Sequence, residues 1–316
     1  MNINIVDYSA EHAQAWDDWC RECDNATLLH TRRFLSYHGD RFEDASVLLM
    51  NEERLVGLFP AARATGDPDI VVSHPGTTYG GIAHAGGLHG QRMIDAIGAL
   101  KDHYRNRGIR RLIYKVVPFI YARVPSQDDV YALFRHGAQR IRCDLSCTID
   151  LQHQRPVSER RKRARRKACK AVSLRASVGD LPAFWAVLTE TLARRHEAVP
   201  VHTLDEIALL ASRFPDEIQL RCAVMDDRVV AGVLLFCSKN VWHAQYIASS
   251  ESSNEVNALD AVFGAAIEEA RAGGARYFDF GTSNESAGQV LNDGLFRFKS
   301  EFGGGGVAHE YYELVI

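Results

Sequence analysis

Several residue types that can move protons lie in the last quarter of the chain. His243 falls in a run of residues that predicts a strand, and an imidazole can accept a proton near neutral pH unless it has only a structural role. Tyr246 can donate a proton or simply pack. Asp279 lies between Phe278 and Phe280 in a strand that reads as buried, where an unpaired carboxylate is costly. We therefore expect Asp279 to be paired, either for catalysis or in a structural hydrogen bond to a loop.

Two further candidates lie in one segment near the carboxyl end. Lys299 stands between Phe298 and Phe302 in a predicted helix that leads into four glycines, and the alternative is a solvated helix lysine. Asn292 opens the same segment, where a side-chain amide can orient an acceptor or cap the helix. Proton transfer by side chains of these types is general acid–base chemistry.

The strand around His243 should place its side chains alternately on two faces. Strict alternation puts His243 with Gln245 and Ile247, and Tyr246 with Trp242. It therefore predicts that His243 and Tyr246 point to opposite sides of the sheet.

The order of predicted elements occurs twice along the chain. The first half shows strands at 3–6, 45–50, 54–62, 69–73, 111–116 and a strand pair in 140–151, with helices at 10–23, 31–37, 91–107 and 127–135. The second shows strands at 173–177, 218–225, 229–237, 241–247, 276–281 and 309–316, with helices at 181–195, 204–213, 257–272 and 291–302. A repeated β-α-α-β-β-β-α-β-α-β unit predicts an α/β fold of mixed sheets with helices on both faces. We expect domains at 1–152 and 173–316, joined by a helix at 153–172.

Composition excludes several classes of protein. The chain has 316 residues, of which 46% are hydrophobic and 24% charged, as in ordinary globular proteins. Its longest apolar runs, such as 229–237, are strand-sized, and no transmembrane segment is expected. The first residues show no secretory signal, which predicts a cytoplasmic location. The seven cysteines include the pairs Cys20/Cys23 and Cys143/Cys147, but no ligand set is completed, so we expect free thiols and no metal.

Charge is concentrated in one segment. Residues 155–170 hold nine Lys or Arg and one acid, whereas the net charge of the whole chain is −3. Ala164, Ala168 and Val172 form a narrow stripe that can pack on the protein while the other faces carry charge. This basic helix can bind tRNA phosphates, a nucleotide-sugar diphosphate or anionic lipid headgroups in peripheral membrane contact, or it can be a solvated connecting helix.

Two motifs carry a resemblance to a known family. Tyr277-Phe278-Asp279-Phe280-Gly281-Thr282-Ser283 is followed by the helical segment 291–304, which contains the residues FKSEFGG. With the repeated element order, this ending resembles the tandem form of the Gcn5-related N-acetyltransferase (GNAT) fold found in Fem-type acyl and aminoacyl transferases. The segment 74–81 resembles their first domain, and Pro200-Val201-His202 resembles a branch associated with bacterial surface-polysaccharide synthesis.

The resemblance implies where an acyl group would be transferred. In this fold the reacting atoms meet where the fourth and fifth strands splay, which brings in His243, Tyr246 and Asp279 with the following loop, including Ser283 and Glu285. The resemblance also implies a functionally important lysine at Lys299. It places substrate segments at Thr77, Tyr79, His196 and His202.

The donor stays open. GNAT proteins that use acyl-CoA usually have a glycine-rich loop after the fourth strand, where backbone amides bind pyrophosphate. Here residues 248–257 contain no glycine and two acids, Glu251 and Glu255, so a nest for the cofactor would depend on Ser250, Ser253 and Asn254. Fem-type enzymes that take aminoacyl-tRNA also lack that loop.

These expectations combine into one leading hypothesis. The chain resembles an acyltransferase that moves an acyl group, with acyl-CoA as co-substrate, onto the amine of a small-molecule or nucleotide-linked amino sugar in surface-glycan synthesis. One alternative is an aminoacyl-tRNA-dependent Fem-type transferase. The other is a non-catalytic protein that binds nucleotide sugars or glycans.

Overall fold

The computed structural model describes residues 3–196 and 198–316, which divide into two compact units. The first unit comprises 1–144, 284–290 and 308–316, and the second comprises 145–283 and 291–307. The repeat predicted domains at 1–152 and 173–316 with the basic helix between them. In the structure, the residues of that helix belong to the second unit. The last strand pairs through Tyr311–Val315 with residues 111–115, which explains why the chain's end belongs to the first unit.

The first unit consists of two sets of strands and four helices among its described residues. Its elements are β1 Ile3–Asp7, α1 Ala13–Glu22, α2 Arg32–Leu35, β2 Val47–Asn51, β3 Arg54–Phe59, β4 Ala62–Ala64, β5 Asp67–Val72, α3 Gln91–Arg105, β6 Arg111–Lys115, α4 Asp128–Arg135 and the first half of β7 Gln139–Asp150. Strands β1, β2 and β3 form an antiparallel sheet. Strand β5 pairs antiparallel with β4 and parallel with β6.

Helix α3 shows why this unit packs as it does. Met93, Ala96, Ile97 and Leu100 recur at helical spacing and are all buried in one apolar cluster with strand residues of the same unit. The apolar stripe therefore fixes which face of α3 covers the sheet.

The second unit contains the basic helix and the elements predicted for the second half of the repeat. Its elements are α5 Glu159–Ala171, β8 Ser173–Arg175, α6 Leu181–His196, α7 Leu204–Arg213, β9 Ile218–Met225, β10 Arg228–Cys237, β11 Val241–Ser249, α8 Glu251–Val256, α9 Ala258–Ala272, β12 Tyr277–Thr282 and α10 Asp293–Ser300. Three further strands lie wholly or partly in the first unit's segments 284–290 and 308–316, and they are β13 Asn284–Glu285, β14 Val290–Leu291 and β15 Gly305–Val315. The sheet of this unit runs β7-β12-β11-β10-β9-β8, with β11 and β12 parallel and the other pairs antiparallel.

The predicted order of elements is confirmed, with local differences. The expected strand pair in 140–151 is the single strand β7, because that run contains no glycine or proline to turn the chain. The strand predicted at 54–62 ends at Phe59 and Ala62 begins another. Helix α8 was missed, and it begins where the Ser250 hydroxyl accepts a hydrogen bond from Ser253 N. Among the described residues, no helix is both long and apolar enough to cross a membrane.

Gly303 gives a stability prediction for the second unit. Its φ is +95°, and a Cβ there would lie 2.3 Å from the Arg155 carbonyl oxygen. We expect Gly303→Ala to lower the free energy of unfolding by about 3 kcal/mol, because backbone strain and a steric clash add. The control is Gly274→Ala, since Gly274 has φ +80° with nothing near its Cβ position, and about 1 kcal/mol is expected. Urea unfolding of both variants measures the difference, and equal losses would contradict the packing explanation.

Candidate active site

The second unit places its polar site where two parallel strands part. Strands β11 and β12 are in register for three residue pairs, and the last of these is His243 with Asp279. Beyond that pair, the described residues of β11 run on to Ser249 and those of β12 to Thr282 without pairing with each other. The splay implied by the resemblance is therefore present, and His243 and Asp279 stand at its apex.

A β-bulge changes which side chains share a face. Opposite Leu234 and Leu235 the register of β11 jumps from Tyr246 to Ala244, which leaves Gln245 as the extra residue. A bulge inserts one residue and reverses the alternation beyond it. Ala244 accordingly lies in the apolar cluster beneath α9, with Ile247 packed against that cluster. His243, next to Ala244, therefore faces away from α9, and so does Tyr246 beyond the bulge. The prediction that His243 and Tyr246 face opposite sides was wrong.

Asp279 is surrounded by four hydrogen-bonding groups. The carboxyl is fully buried, and its Oδ1 accepts from the Ser146 hydroxyl, from Thr148 Oγ1 at 2.8 Å and from Gly281 N at 3.2 Å. Its Oδ2 lies 2.8 Å from His243 Nδ1. The Ser146, Thr148 and Gly281 groups are donors, and a carboxylate oxygen can accept from all three. The expected pairing of Asp279 is present.

This arrangement orients the imidazole of His243. If Nδ1–H donates to Asp279, the lone pair of the neutral ring lies on Nε2, which can then accept a proton. Gly281 lies against the ring: its φ is +76°, and a Cβ at that position would be 3.3 Å from His243 Cε1. The glycine thus leaves room for the ring in the position set by Asp279.

Lys299 is buried on the same stretch of β12. Its ammonium, 3% exposed, donates to the carbonyl oxygens of Gly281 at 2.9 Å and Thr282 at 2.7 Å. Burial lowers the pKa of Lys299 to about 8, while the charge of Asp279 opposes that shift. The neighbouring Cys147 thiol has its pKa raised to about 12, mainly by burial. Lys299 is therefore not the solvated helix lysine that was the alternative, and one of its three N–H groups has no hydrogen-bond partner among the described residues.

Tyr246 is paired with a second histidine. Its hydroxyl lies 2.6 Å from His202 Nδ1, and its ring meets Trp185 edge-on at 5.1 Å between centroids. Burial raises the pKa of Tyr246 to about 12, so the phenol keeps its proton at neutral pH. The structure therefore brings together Tyr246 and His202, two residues that the sequence placed in different segments.

The other predicted site residues from the second half of the chain differ in burial and in contacts. Asn292 is the N-cap of α10, and its side chain accepts from Leu295 N at 3.0 Å, so the capping alternative holds. Ser283 is buried, and its hydroxyl has no hydrogen-bond partner among the described residues. Glu285 is exposed and belongs to the first unit. His196 ends α6, and its side chain lies outside the described residues.

The segment on which a phosphate nest would depend forms the short helix α8, with Ser250 as its N-cap. Ser253 is buried and its hydroxyl donates to Ser250 O at 2.8 Å, while Asn254 Oδ1 accepts from Ser249 at 3.2 Å. Glu251 forms an ion pair with Arg194 at 2.9 Å. The side chains of Glu251, Ser253 and Asn254 therefore have contacts within the protein.

Thr77 and Tyr79 lie in the first unit, in a loop organised by a lysine that the sequence did not single out. Lys115 Nζ donates to the carbonyl oxygens of His74 at 3.0 Å and Thr77 at 2.6 Å, and burial lowers its pKa to about 7. The Thr77 hydroxyl lies 2.8 Å from the Tyr79 carbonyl, and the Tyr79 hydroxyl donates to Thr27. A single lysine in the apolar strand Arg111–Lys115 was the available signal. Among the described residues, each unit thus has a buried lysine that binds main-chain carbonyl oxygens.

The basic helix α5 has two distinct sides. Ala168 is buried and Val172 packs against the apolar cluster below α9, so the predicted small-residue stripe does contact the protein. Arg163, Arg166 and Lys170 are exposed at helical spacing, and none of them forms an ion pair within the described residues. Within the described part of the chain, no cluster of His, Cys, Asp or Glu is placed to hold a metal ion.

Comparison with known proteins agrees with this geometry. Residues 155–300 match the profile of the acetyltransferase (GNAT) domain family. No curated protein matches the chain. The matched domain thus defines a GNAT-fold acyltransferase.

The whole chain is similar to solved structures. FemX superimposes with a TM-score of 0.71 at 11% identity over 99% of this chain and 97% of its own. The C-terminal domain of a putative lysylphosphatidylglycerol synthetase from Agrobacterium fabrum gives 0.63 at 12% over 96% and 92%, and a tandem GNAT protein from the clavulanic acid biosynthesis pathway gives 0.54 at 11% over 99% and 98%. The chain thus has the tandem GNAT fold, and its second unit carries most of the matched acetyltransferase domain.

Proposed function

We propose that the second unit transfers an acyl group onto an amine, with the pair His243 and Asp279 as its general base. The observation that carries this proposal is the 2.8 Å contact between His243 Nδ1 and Asp279 Oδ2 at the apex of the strand splay, beside the buried Lys299. The acceptor is the amine of an amino sugar or nucleotide-linked amino sugar, and the donor is an acyl-CoA. The resemblance of the second unit's motifs supports that substrate class.

The proposed roles follow from protonation. The acceptor amine attacks the acyl carbonyl, and His243 Nε2 takes the proton that the nitrogen loses. The bond from the acyl carbon to sulfur then breaks, and Tyr246, which keeps its proton at neutral pH, donates that proton to the leaving thiolate. The remaining N–H of Lys299 and the buried Ser283 hydroxyl, which has no partner among the described residues, supply donors for the carbonyl oxygen as it gains negative charge.

A second donor is favoured by one observation. The segment that would hold the pyrophosphate of CoA is helix α8, whose Ser253 and Asn254 side chains are engaged within the protein. Aminoacyl-tRNA needs no such loop, and the exposed Arg163, Arg166 and Lys170 could contact its phosphates. The same face would suit anionic lipid headgroups in peripheral contact.

One experiment separates the donors and the non-catalytic alternative. The purified protein is incubated with a panel of nucleotide-linked amino sugars and either acetyl-CoA or a mixture of aminoacyl-tRNAs, and N-acylated sugar is detected by mass spectrometry. We expect product with acetyl-CoA that is insensitive to ribonuclease. Product only with aminoacyl-tRNA, lost after ribonuclease, would replace the donor. Binding of a nucleotide sugar in a thermal-shift assay, with no product from either donor, would reject catalysis.

A further inference from the structure

One arginine of the basic helix points into the protein. Arg161 is 5% exposed, whereas its neighbours Lys162 and Arg163 on α5 are exposed. Its Nη1 donates to both carboxylate oxygens of Asp260 on α9, each at 2.9 Å, and its Nε donates to Glu301 Oε2 at 2.9 Å. Burying a guanidinium is costly unless it is paired in this way, so Arg161 is committed to internal contacts.

Those contacts end on the helix that carries Lys299. Glu301 is the C-cap of α10, and its carbonyl oxygen accepts from Ser158 N, the N-cap of α5, at 2.9 Å. The Arg161 guanidinium also lies 4.6 Å from the ring centroid of Phe298 and 5.5 Å from that of Phe302, within the range of cation–π attraction. One side of α10 is thus held by α5.

Lys299 leaves α10 from a different side. It follows Phe298 directly, and its ammonium reaches the carbonyl oxygens of Gly281 and Thr282. Helical geometry turns consecutive residues by about 100°, so an anchor at Phe298 and Phe302 fixes the direction in which Lys299 points. Its charged neighbours there are Asp279 on β12 and, only when ionised, Cys147 on β7.

We propose that Arg161 is a positioning residue, which holds α10 through Glu301, Phe298 and Phe302 so that Lys299 stays at the end of β12. This inference rests on the proposed function, because it assigns Arg161 an effect on the reaction only through Lys299. Arg161 would thus have a different role from the exposed bases of α5 that are free to bind an anion.

The test uses variants that loosen this anchor without leaving a buried charge alone. Glu301→Ala removes the anchor on α10 and leaves Arg161 paired with Asp260. Arg161→Lys keeps the charge but loses the fork that reaches two carboxylates. The matched control is Glu268→Ala, because Glu268 pairs with Arg165 through two bonds of 2.7 Å and joins α5 to α9 without touching α10.

The main readout needs no substrate. The rate at which an amine-reactive ester modifies Lys299 is followed by peptide mass spectrometry between pH 6 and 10, with exposed Lys239 as the internal reference. We expect Lys299 to react about tenfold faster in Glu301→Ala and Arg161→Lys, with kcat about tenfold lower and KM little changed, and no change in Glu268→Ala.

Two outcomes would reject the proposal that Arg161 positions Lys299. If both variants keep the wild-type melting temperature and Lys299 reacts at the wild-type rate, Arg161 does not position it. If both variants lose the fold, Arg161 is a general structural residue and the proposal is rejected. Failure of the proposed function is distinguished from either result, because altered labelling of Lys299 with unchanged turnover would show a positioned lysine that the reaction does not use.

Discussion

Replacing Lys299 by methionine should lower kcat/KM by about 100-fold or more, because an aligned cationic donor in a buried site is among the larger contributions to acyl transfer. Methionine keeps the length and apolar stem of lysine but removes its charge and its hydrogen bonds to Gly281 and Thr282. Steady-state kinetics with the donor and acceptor found in the product assay measure the loss. Lys239→Met, at an exposed turn, is the control and should keep wild-type turnover.

The pH dependence gives the same residue a second signature. Burial lowers the pKa of Lys299 to about 8, so the ammonium is present below that pH and is lost as the pH rises through it. We therefore expect kcat/KM of the wild type to fall on a basic limb near pH 8. Lys299→Arg cannot lose its charge in this range, so whatever activity it retains should lack that limb. A limb that persists in Lys299→Arg would assign it to another group.

The contribution of Lys299 to the free energy of unfolding should depend on pH, and the direction follows from its pKa. The folded pKa of about 8 lies below the ordinary value of 10.5, so the unfolded chain binds more protons between these values. The free energy of unfolding of the wild type, relative to Lys299→Met, should therefore rise with pH across that window. Denaturation curves at pH 7.5 and 9.5 provide this comparison without any substrate.

Much of the fold could be predicted because it depends on local patterns. Apolar spacing defined helices such as α3 and α9, and alternation and turn residues defined the strands around them. The need to pair Asp279 followed from its apolar neighbours alone, and the structure supplies partners for it. The second-half motif also led to Lys299, although only the structure shows its two carbonyl contacts.

The rest depended on features that local patterns do not encode. The bulge at Gln245 adds one residue, and its effect on Tyr246 becomes visible only when β10 is paired with β11. Ser146 and Thr148 reach Asp279 from more than a hundred residues away in the chain. Arg161 looks like every other base of α5 until its carboxylate partners are placed. Long-range pairing therefore decided which predicted residues form the site.

Asp279→Asn should be the most selective change at the site, with kcat about 1,000-fold lower and the fold retained. Oδ1 accepts from three donors, Ser146, Thr148 and Gly281, so the amide oxygen must take that position. The amide nitrogen then replaces Oδ2 and donates to His243 Nδ1. That bond forces the proton of the neutral ring onto Nε2 and removes the lone pair that accepts the substrate's proton. Asp150→Asn, at the last residue of β7, is the control and should keep its activity.

A double variant distinguishes this tautomer effect from an independent role of Asp279. If the carboxylate acts only by orienting His243, then once His243 is replaced by glutamine, the further change Asp279→Asn should cost little, and the double variant should be about as slow as His243→Gln alone. Single-variant losses that multiply in the double variant would mean that Asp279 touches the reaction directly. Because the two side chains are 2.8 Å apart, strong non-additivity is the expected result. It would identify the apex of the strand splay as one catalytic unit.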